Sequence, residues 1–441
     1  MHSATTDCGL KGSLNSSNIA PTMLSATLAA GAPHIRAFCE CVGVCAIRGA
    51  LTLATLCALL LVSARPAQAQ TETVLHNFTG GIDGDIPNAG LTPDSKGNFY
   101  GVTPNGGLYG YGTVFEFSPD GRGGWNETVL YSFAGGAEGG LPWFSGVVLD
   151  SAGSIYGTLF YGGSNACENG CGVVFELSLV DGAWTETVLY TFPGGAGGES
   201  PINNLIIDKA GNLYGTASTF GIGAGGFVYE LSPSGGAWTE RTIYDTSISG
   251  GLTMDSAGNI FGVTSVMGAV FELSPTGSGG WNPTVIHTSS KSAKSYYQMG
   301  TPMLDAAGNI YGTSGYAGVN KDGTVYKLSL AKSGKWTGKQ LHVFAGGPDD
   351  GKTPYGAVVL DAAGNVYGTT AYGGQSGLGT VFELVAPVGK GNYTEKVLCN
   401  FAGPNGNRPE ASLAMDSTGN LYGTAQYGGL YGNGVIFEVT P

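Results

Sequence analysis

The chain has 441 residues, 78 of them glycine and only 12% of them charged, with a formal charge of −13 at neutral pH. Glycine at that level without a Gly-X-Y period excludes collagen, and the β-branched and aromatic clusters beside it exclude a disordered polymer. An acidic chain without clustered Lys and Arg lacks the phosphate contacts that nucleic acid needs, so no nucleic-acid partner is expected.

The first feature is an apolar run over residues 51–62, preceded by Arg48 and followed by Ala67-Gln68-Ala69. This is the h-region and cleavage pattern of a secretory signal peptide. It sets residues 1–69 as a leader cut after Ala69, with Met23 as a second candidate start. The run is too short to span a bilayer. A secreted or periplasmic protein without a membrane span is therefore expected.

From residue 70 onward short β runs alternate with glycine turns, and no window shows helical periodicity. Residues 71–78 read as a strand with no blade of its own. Seven copies of one motif, Asp-x-x-Gly-(Asn/Ser)-apolar-aromatic-Gly, then follow at 94–101, 150–157, 208–215, 255–262, 305–312, 361–368 and 416–423. Their glycines (Gly97 onward) are spaced by 56, 58, 47, 50, 56 and 55 residues. A period near 50 marks a propeller or solenoid.

The sixth copy shows the unit. A first strand over 357–360 ends in the tight turn Asp361-Ala362-Ala363-Gly364-Asn365, where Asp bonds its own backbone and Gly takes positive φ. A second strand over 365–371, a glycine–aromatic loop over 372–379, a third strand over 380–384 and a fourth over 393–401 complete it. The last copy stops at its third strand, Phe437-Glu438-Val439. The surplus strand at 71–78 supplies what that blade lacks. The fold class is all-β: a seven-bladed β-propeller over 70–441, four antiparallel strands per blade, closed by the N-terminal strand completing the last blade.

The pattern Leu-Asp-x-x-Gly-Asn-Leu-Tyr-Gly-Thr, then Tyr-Gly-Gly, then Gly-Thr-Val-Phe-Glu-Leu, resembles the GloVer tandem repeat of bacterial "choice-of-anchor" extracellular proteins. It is more loosely similar to NHL-type propeller repeats. The resemblance covers residues 71–441 and implies an exported propeller; it brings no activity to transfer. The chain lacks the C-terminal anchor to which the family name refers, which points to release.

Chemistry is sparse. His76, His287 and His342 share one position on the outermost strand, where other blades carry Tyr131, Tyr190 and Tyr244, so histidine catalysis is not expected. The third-strand glutamates Glu116, Glu176, Glu230, Glu272, Glu383 and Glu438 repeat around the ring and read as architectural. Glu72, Glu127, Glu186, Glu240 and Glu395, on the fourth strand, are expected to discourage edge pairing. The fourth-to-first and second-to-third loops share one face. They bring Tyr109, Tyr111, Tyr161, Tyr316, Tyr372 and Tyr427 together with Asp83, Asp85, Asp349 and Asp350. Such an aromatic, acidic rim suits an extracellular glycan or a surface protein, and the same tyrosines equally suit packing between blades. Asp83-Gly84-Asp85 and Asp349-Asp350-Gly351 offer oxygen ligands to calcium without the spacing of a full loop; no other cofactor is expected. The repeat breaks at 245–250, 265–268 and 288–300, where an asymmetric ligand would be sought. Cys167 and Cys171 suit a disulfide in an exported protein, or a metal site if two further ligands lie near; Cys399 stands alone. The expectation is a monomeric, non-catalytic binding or scaffold module. A hydrolase or lyase with two carboxylates at the axial face is the alternative.

Overall fold

Each repeat folds into one four-stranded antiparallel sheet, and seven such sheets stand in a ring with almost no helix. The computed structural model describes residues 71–219, 225–265, 268–288 and 300–441. The leader, its cleavage site, and most of the irregular loops at 265–268 and 288–300 lie outside the described residues. Six blades occupy 92–132, 148–191, 199–245, 253–288, 303–343 and 359–400, and the seventh combines 414–440 with the N-terminal strand. In blade 6 the strands are Val359–Leu360, Val366–Thr370, Thr380–Val385 and Thr394–Asn400. The first is shorter than expected because the residues before it turn to the next blade, where Ala357 N–H donates to Ser412 Oγ (2.9 Å).

The repeated motif is hairpin chemistry. Asp361 Oδ1 accepts the N–H groups of Ala363 and Asn365, both at 2.9 Å. Its Oδ2 accepts Asn365 Nδ2 (2.8 Å) and the Tyr367 hydroxyl (3.1 Å). One carboxylate thus satisfies four donors, and Asp208 and Asp416 repeat the set.

The motif's second glycine is a hole for a ring. Gly368 stands opposite Phe382 in the register, and a Cβ at Gly368 would lie 2.6 Å from the tip of that ring. The same pairing joins Gly101 to Phe115 and Gly423 to Phe437. These fully buried rings then meet the phenylalanine that ends the preceding blade's fourth strand: Phe78–Phe115 at 5.5 Å, Phe344–Phe382 at 5.2 Å and Phe401–Phe437 at 5.0 Å. Removing one such ring costs about 3–5 kcal/mol. The core is a chain of aromatic contacts running from blade to blade.

Around the axis the threonine after Tyr-Gly stitches neighbours together. Thr313 Oγ1 donates to Gly356 O (2.9 Å), Thr369 Oγ1 to Ala411 O (2.9 Å) and Thr424 Oγ1 to Ala89 O (3.0 Å). The last of these bonds crosses the join between the chain's two ends. There Thr71–Asn77 pairs antiparallel with Val435–Thr440, from Thr71 opposite Thr440 to Asn77 opposite Val435. The N-terminal strand closes the ring.

The fourth-strand glutamates correct the expectation that they guard an exposed edge. They enter the seams between blades instead. Glu72 accepts Asn405 Nδ2 (3.1 Å) from the blade 6–7 connection. The carboxyls of Glu127, Glu186 and Glu395 are pushed up to about 7 by burial first, with Asp83, Glu138 and Asp350 of the preceding blade's loop adding to the effect. Buried Oε1 atoms of Glu127 and Glu395 find no hydrogen-bond partner among the described residues. At two of these seams the fourth-strand residue of the preceding blade faces the carboxyl: Tyr131 against Glu186 and His342 against Glu395.

Candidate functional site

Among the described residues the connection entering a blade runs along that blade's second-to-third loop, through pairs such as Asp85–Asn105, Gly140–Tyr161 and Asn407–Tyr427. Both loop sets therefore lie on one face. Five of these connections share a device that is silent in their side chains: an X-Pro step whose X residue has positive φ. The residues are Ile86 (58°), Leu141 (60°), Ser200 (51°), Thr353 (61°) and Arg408 (56°). A side chain in this region is strained, and the surroundings must hold it there. The proline packs against the glycine before the third strand of the preceding blade; a Cβ on Gly379 would come 2.6 Å from Pro409 Cδ. Held this way, the residue after the proline turns toward the axis in four blades: Asn88, Ile202, Tyr355 and Glu410 line an axial chamber of about 140 Å³.

Two of these four, Tyr355 and Glu410, belong to a polar and aromatic cluster across blades 5 to 7. Glu410, only 6% exposed, accepts Arg408 Nε (2.9 Å) and a second guanidinium nitrogen (2.5 Å), and also Gln426 Nε2 (2.6 Å). Burial raises the Glu410 carboxyl, and the Arg408 charge opposes it. The Arg408 guanidinium lies against both the Tyr372 ring (5.4 Å) and the Tyr427 ring (5.9 Å). Burial disfavours its charge, but the Glu410 carboxylate outweighs burial and the guanidinium is held above its ordinary range. Tyr355 and Tyr316 share a hydroxyl–hydroxyl bond of 2.5 Å, and burial first, then that bond, raises the Tyr355 phenol.

The sequence-derived candidates separate on this map. Tyr316, Tyr372 and Tyr427 join the Arg408 cluster. Tyr109 and Tyr111 project from blade 1, 56% and 48% exposed, with the Tyr111 ring over Gly135 and Gly140. Tyr161 is half-buried on blade 2, its ring edge-on to Phe160. Asp83 accepts from its own loop at Thr79, and its carboxylate lies 3.5 Å from His76 Nε2. Asp350 repeats this, accepting Ala345 N–H (2.7 Å) with His342 Nε2 at 3.2 Å. Asp85 is half-buried, which raises its carboxyl, and Asp349 is exposed. Asp83 and Asp350 are thus already engaged as turn acceptors.

Cys167 and Cys171 are joined, with their Cα atoms 5.2 Å apart, and Cys399 is a free buried thiol. Burial pushes the Cys399 thiol up to about 12. Contrary to the expectation that no further ligand lies near the cysteine pair, Glu199 Oε2 is 2.9 Å from Cys167 Sγ. The strand Glu199–Ile207 begins at this glutamate, 28 residues beyond Cys171, which is why spacing alone concealed it.

Arg408, Glu410, Gln426, Tyr355 and Asn88 were not singled out by motif. The available signal was a proline recurring before five of the seven first strands with different neighbours each time.

A seven-bladed ring with its axial mouth dressed on one side defines a β-propeller with an off-centre candidate site. The chain belongs to the Gloeobacter/Verrucomicrobia repeat family, whose model matches residues 60–268 and 248–441. No curated protein matches it. Among solved structures it is similar to a candidate 6-phosphogluconolactonase from Bacteroides uniformis, at 13% identity and TM-score 0.51, over 74% of this chain and 88% of the other. A luciferin-regenerating enzyme (14% identity, TM-score 0.43, over 85% and 96%) is more distant in shape. So is a protein of unknown function from Dyadobacter fermentans (11%, TM-score 0.43, over 83% and 96%). At these identities the likeness shows the fold alone. No helix among the described residues is long and apolar enough to cross a membrane.

Proposed function

We propose that the protein is an exported binding module whose rim over blades 5 to 7 takes an extracellular carbohydrate. The observation that carries the reading is the Arg408 guanidinium held against Tyr372 and Tyr427 while it neutralises Glu410. Rings with polar tips, fixed by a cation, present flat apolar faces ringed by hydrogen-bonding groups, which is the surface a sugar ring needs. Because Arg408 and Glu410 cancel in charge, the rim favours neutral sugars. Calcium is assigned no role.

Glu410 also favours a second reading, a hydrolase or lyase acting from the axial face. Two-carboxylate hydrolysis needs a partner acid, and Glu410 is the only carboxylate among the described residues lining the chamber.

A glycan array followed by a hydrolysis assay on its hits separates the two readings. Binding without turnover supports the module; turnover abolished by Glu410→Gln supports the enzyme. Replacing both Tyr372 and Tyr427 with Ala should cost about 2 kcal/mol, roughly 30-fold in affinity. Full affinity in that double variant would refute the rim.

A further inference from the structure

Side-chain polar groups around the axis are mostly spent on joining blades. Asn204 Oδ1 accepts Gly146 N–H (2.7 Å), Thr301 Oγ1 accepts Gly251 N–H (3.1 Å) and Ser412 Oγ accepts Ala357 N–H (2.9 Å). Two groups are not spent. Asn88 is 2% exposed; its Oδ1 accepts Phe144 N–H at 3.3 Å, which fixes the amide so that Nδ2 is the free end. That Nδ2 has no partner among the described residues, and neither has the buried Oγ of Ser249. Both residues line the axial chamber. A buried donor without a partner is destabilising, and a ligand accepting its hydrogen bond would relieve that cost.

The chamber's size and lining narrow that ligand. Its volume of about 140 Å³ is close to the roughly 150 Å³ cavity that holds benzene, so it takes one edge of a sugar ring and leaves the rest of that ring toward the rim. Phe144, Ile202 and Ala411 give it apolar wall, and the one carboxylate among its described lining residues, Glu410, is already neutralised by Arg408. Among the described residues a charged guest would find no free counter-charge. A guest that is uncharged, ring-sized and rich in hydroxyls fits all three conditions. The chamber is also continuous with the rim: Tyr355 and Glu410 line it, and they bond Tyr316 and Arg408 respectively.

We infer that the axial chamber is an end-recognition subsite, taking the terminal neutral hexose of a glycan whose following residues lie across the rim tyrosines, with Asn88 Nδ2 and Ser249 Oγ bonding its hydroxyls. This rests on the carbohydrate reading of the rim and adds to it a demand for a free chain end.

The test uses the chain from residue 71 onward. Glucose, galactose and mannose are titrated one at a time, and then the tetrasaccharide of whichever hexose binds, with its terminal residue free or capped by permethylation. Asn88→Asp keeps an acceptor for Phe144 and removes the amide donor while adding a buried carboxyl, so its melting temperature is read beside its binding at pH 8, where an ionised carboxylate cannot donate; Ser249→Ala removes the hydroxyl without adding a charge. The expected result is hexose binding at least tenfold weaker in Asn88→Asp and about threefold weaker in Ser249→Ala, the latter at unchanged melting temperature, with capping as damaging as Asn88→Asp. Tetrasaccharide binding that is weakened by Tyr427→Ala but indifferent to Asn88→Asp and to capping would overturn the subsite and leave the rim standing. Binding indifferent to Tyr427→Ala would overturn the rim. No binding of any hexose or tetrasaccharide would overturn both, leaving the chamber to water.

Discussion

Replacing Glu127, Glu186 and Glu395 together with Gln should make the ring more stable in neutral and alkaline solution and change little in acid. Each carboxyl is pushed up to about 7 in the fold from an ordinary value of 4.5. The folded state therefore holds the proton more tightly than the unfolded one between these values. Stability linked to these groups is full below pH 4.5, declines as pH rises, and is lost above about 7. A shift of 2.5 units would be worth about 3 kcal/mol per site at most; water reaches part of each carboxyl, which reduces this to about 1 kcal/mol. Three sites then give about 3 kcal/mol, or roughly 6 °C in melting temperature at about 2 °C per kcal/mol. His76 and His287, depressed chiefly by burial, act in the opposite sense in the same window. The informative quantity is therefore the difference between wild type and triple variant. Thermal melts at pH 5 and pH 8 should show the variant gaining about 6 °C on the wild type between the two. Parallel pH profiles would mean that the seams do not hold these carboxyls as described.

Two further predictions concern the ring itself. Starting the chain at residue 79 removes the fully buried Phe78 and the whole Thr71–Asn77 ladder. A loss of about 5 kcal/mol or more and roughly 10 °C in melting temperature is expected, with recovery on adding a synthetic 71–78 peptide; an unchanged melt would count against closure. Asp361→Ala strands four donors at one hairpin and should cost about 2–3 kcal/mol in denaturant unfolding, whereas a cost below 0.5 kcal/mol would show that the turn does not depend on the carboxylate.

The fold was legible because propeller repeats write their geometry into every copy. Gly368 must be small where Phe382 enters, and Asp361 must be acidic where four donors converge, so both recur at the ring's own period. The candidate site was legible only in part. Tyr316, Tyr372 and Tyr427 stand out as aromatics among glycines. Arg408 and Glu410 do not, since their equivalents in other blades are Ile86 and Asn88, or Thr353 and Tyr355. Only the proline between them recurs, and it records how the backbone is aimed rather than what it carries. The seam glutamates were visible but misread: alternation along the fourth strand tells which face a side chain takes, and nothing in it tells that another blade covers that face.

Pairing Thr71 with Thr440 joins residues separated by almost the entire propeller. Contacts of such long sequence separation form late, because the chain between them must first be ordered. While the polypeptide is being made, Thr71–Asn77 waits as an unpaired strand until the last third strand, Val435–Thr440, has emerged. A truncated chain would expose the edge of its last blade and would be open to association with other chains. The closing strand therefore makes the emergence of Val435–Thr440 a condition for the native ring.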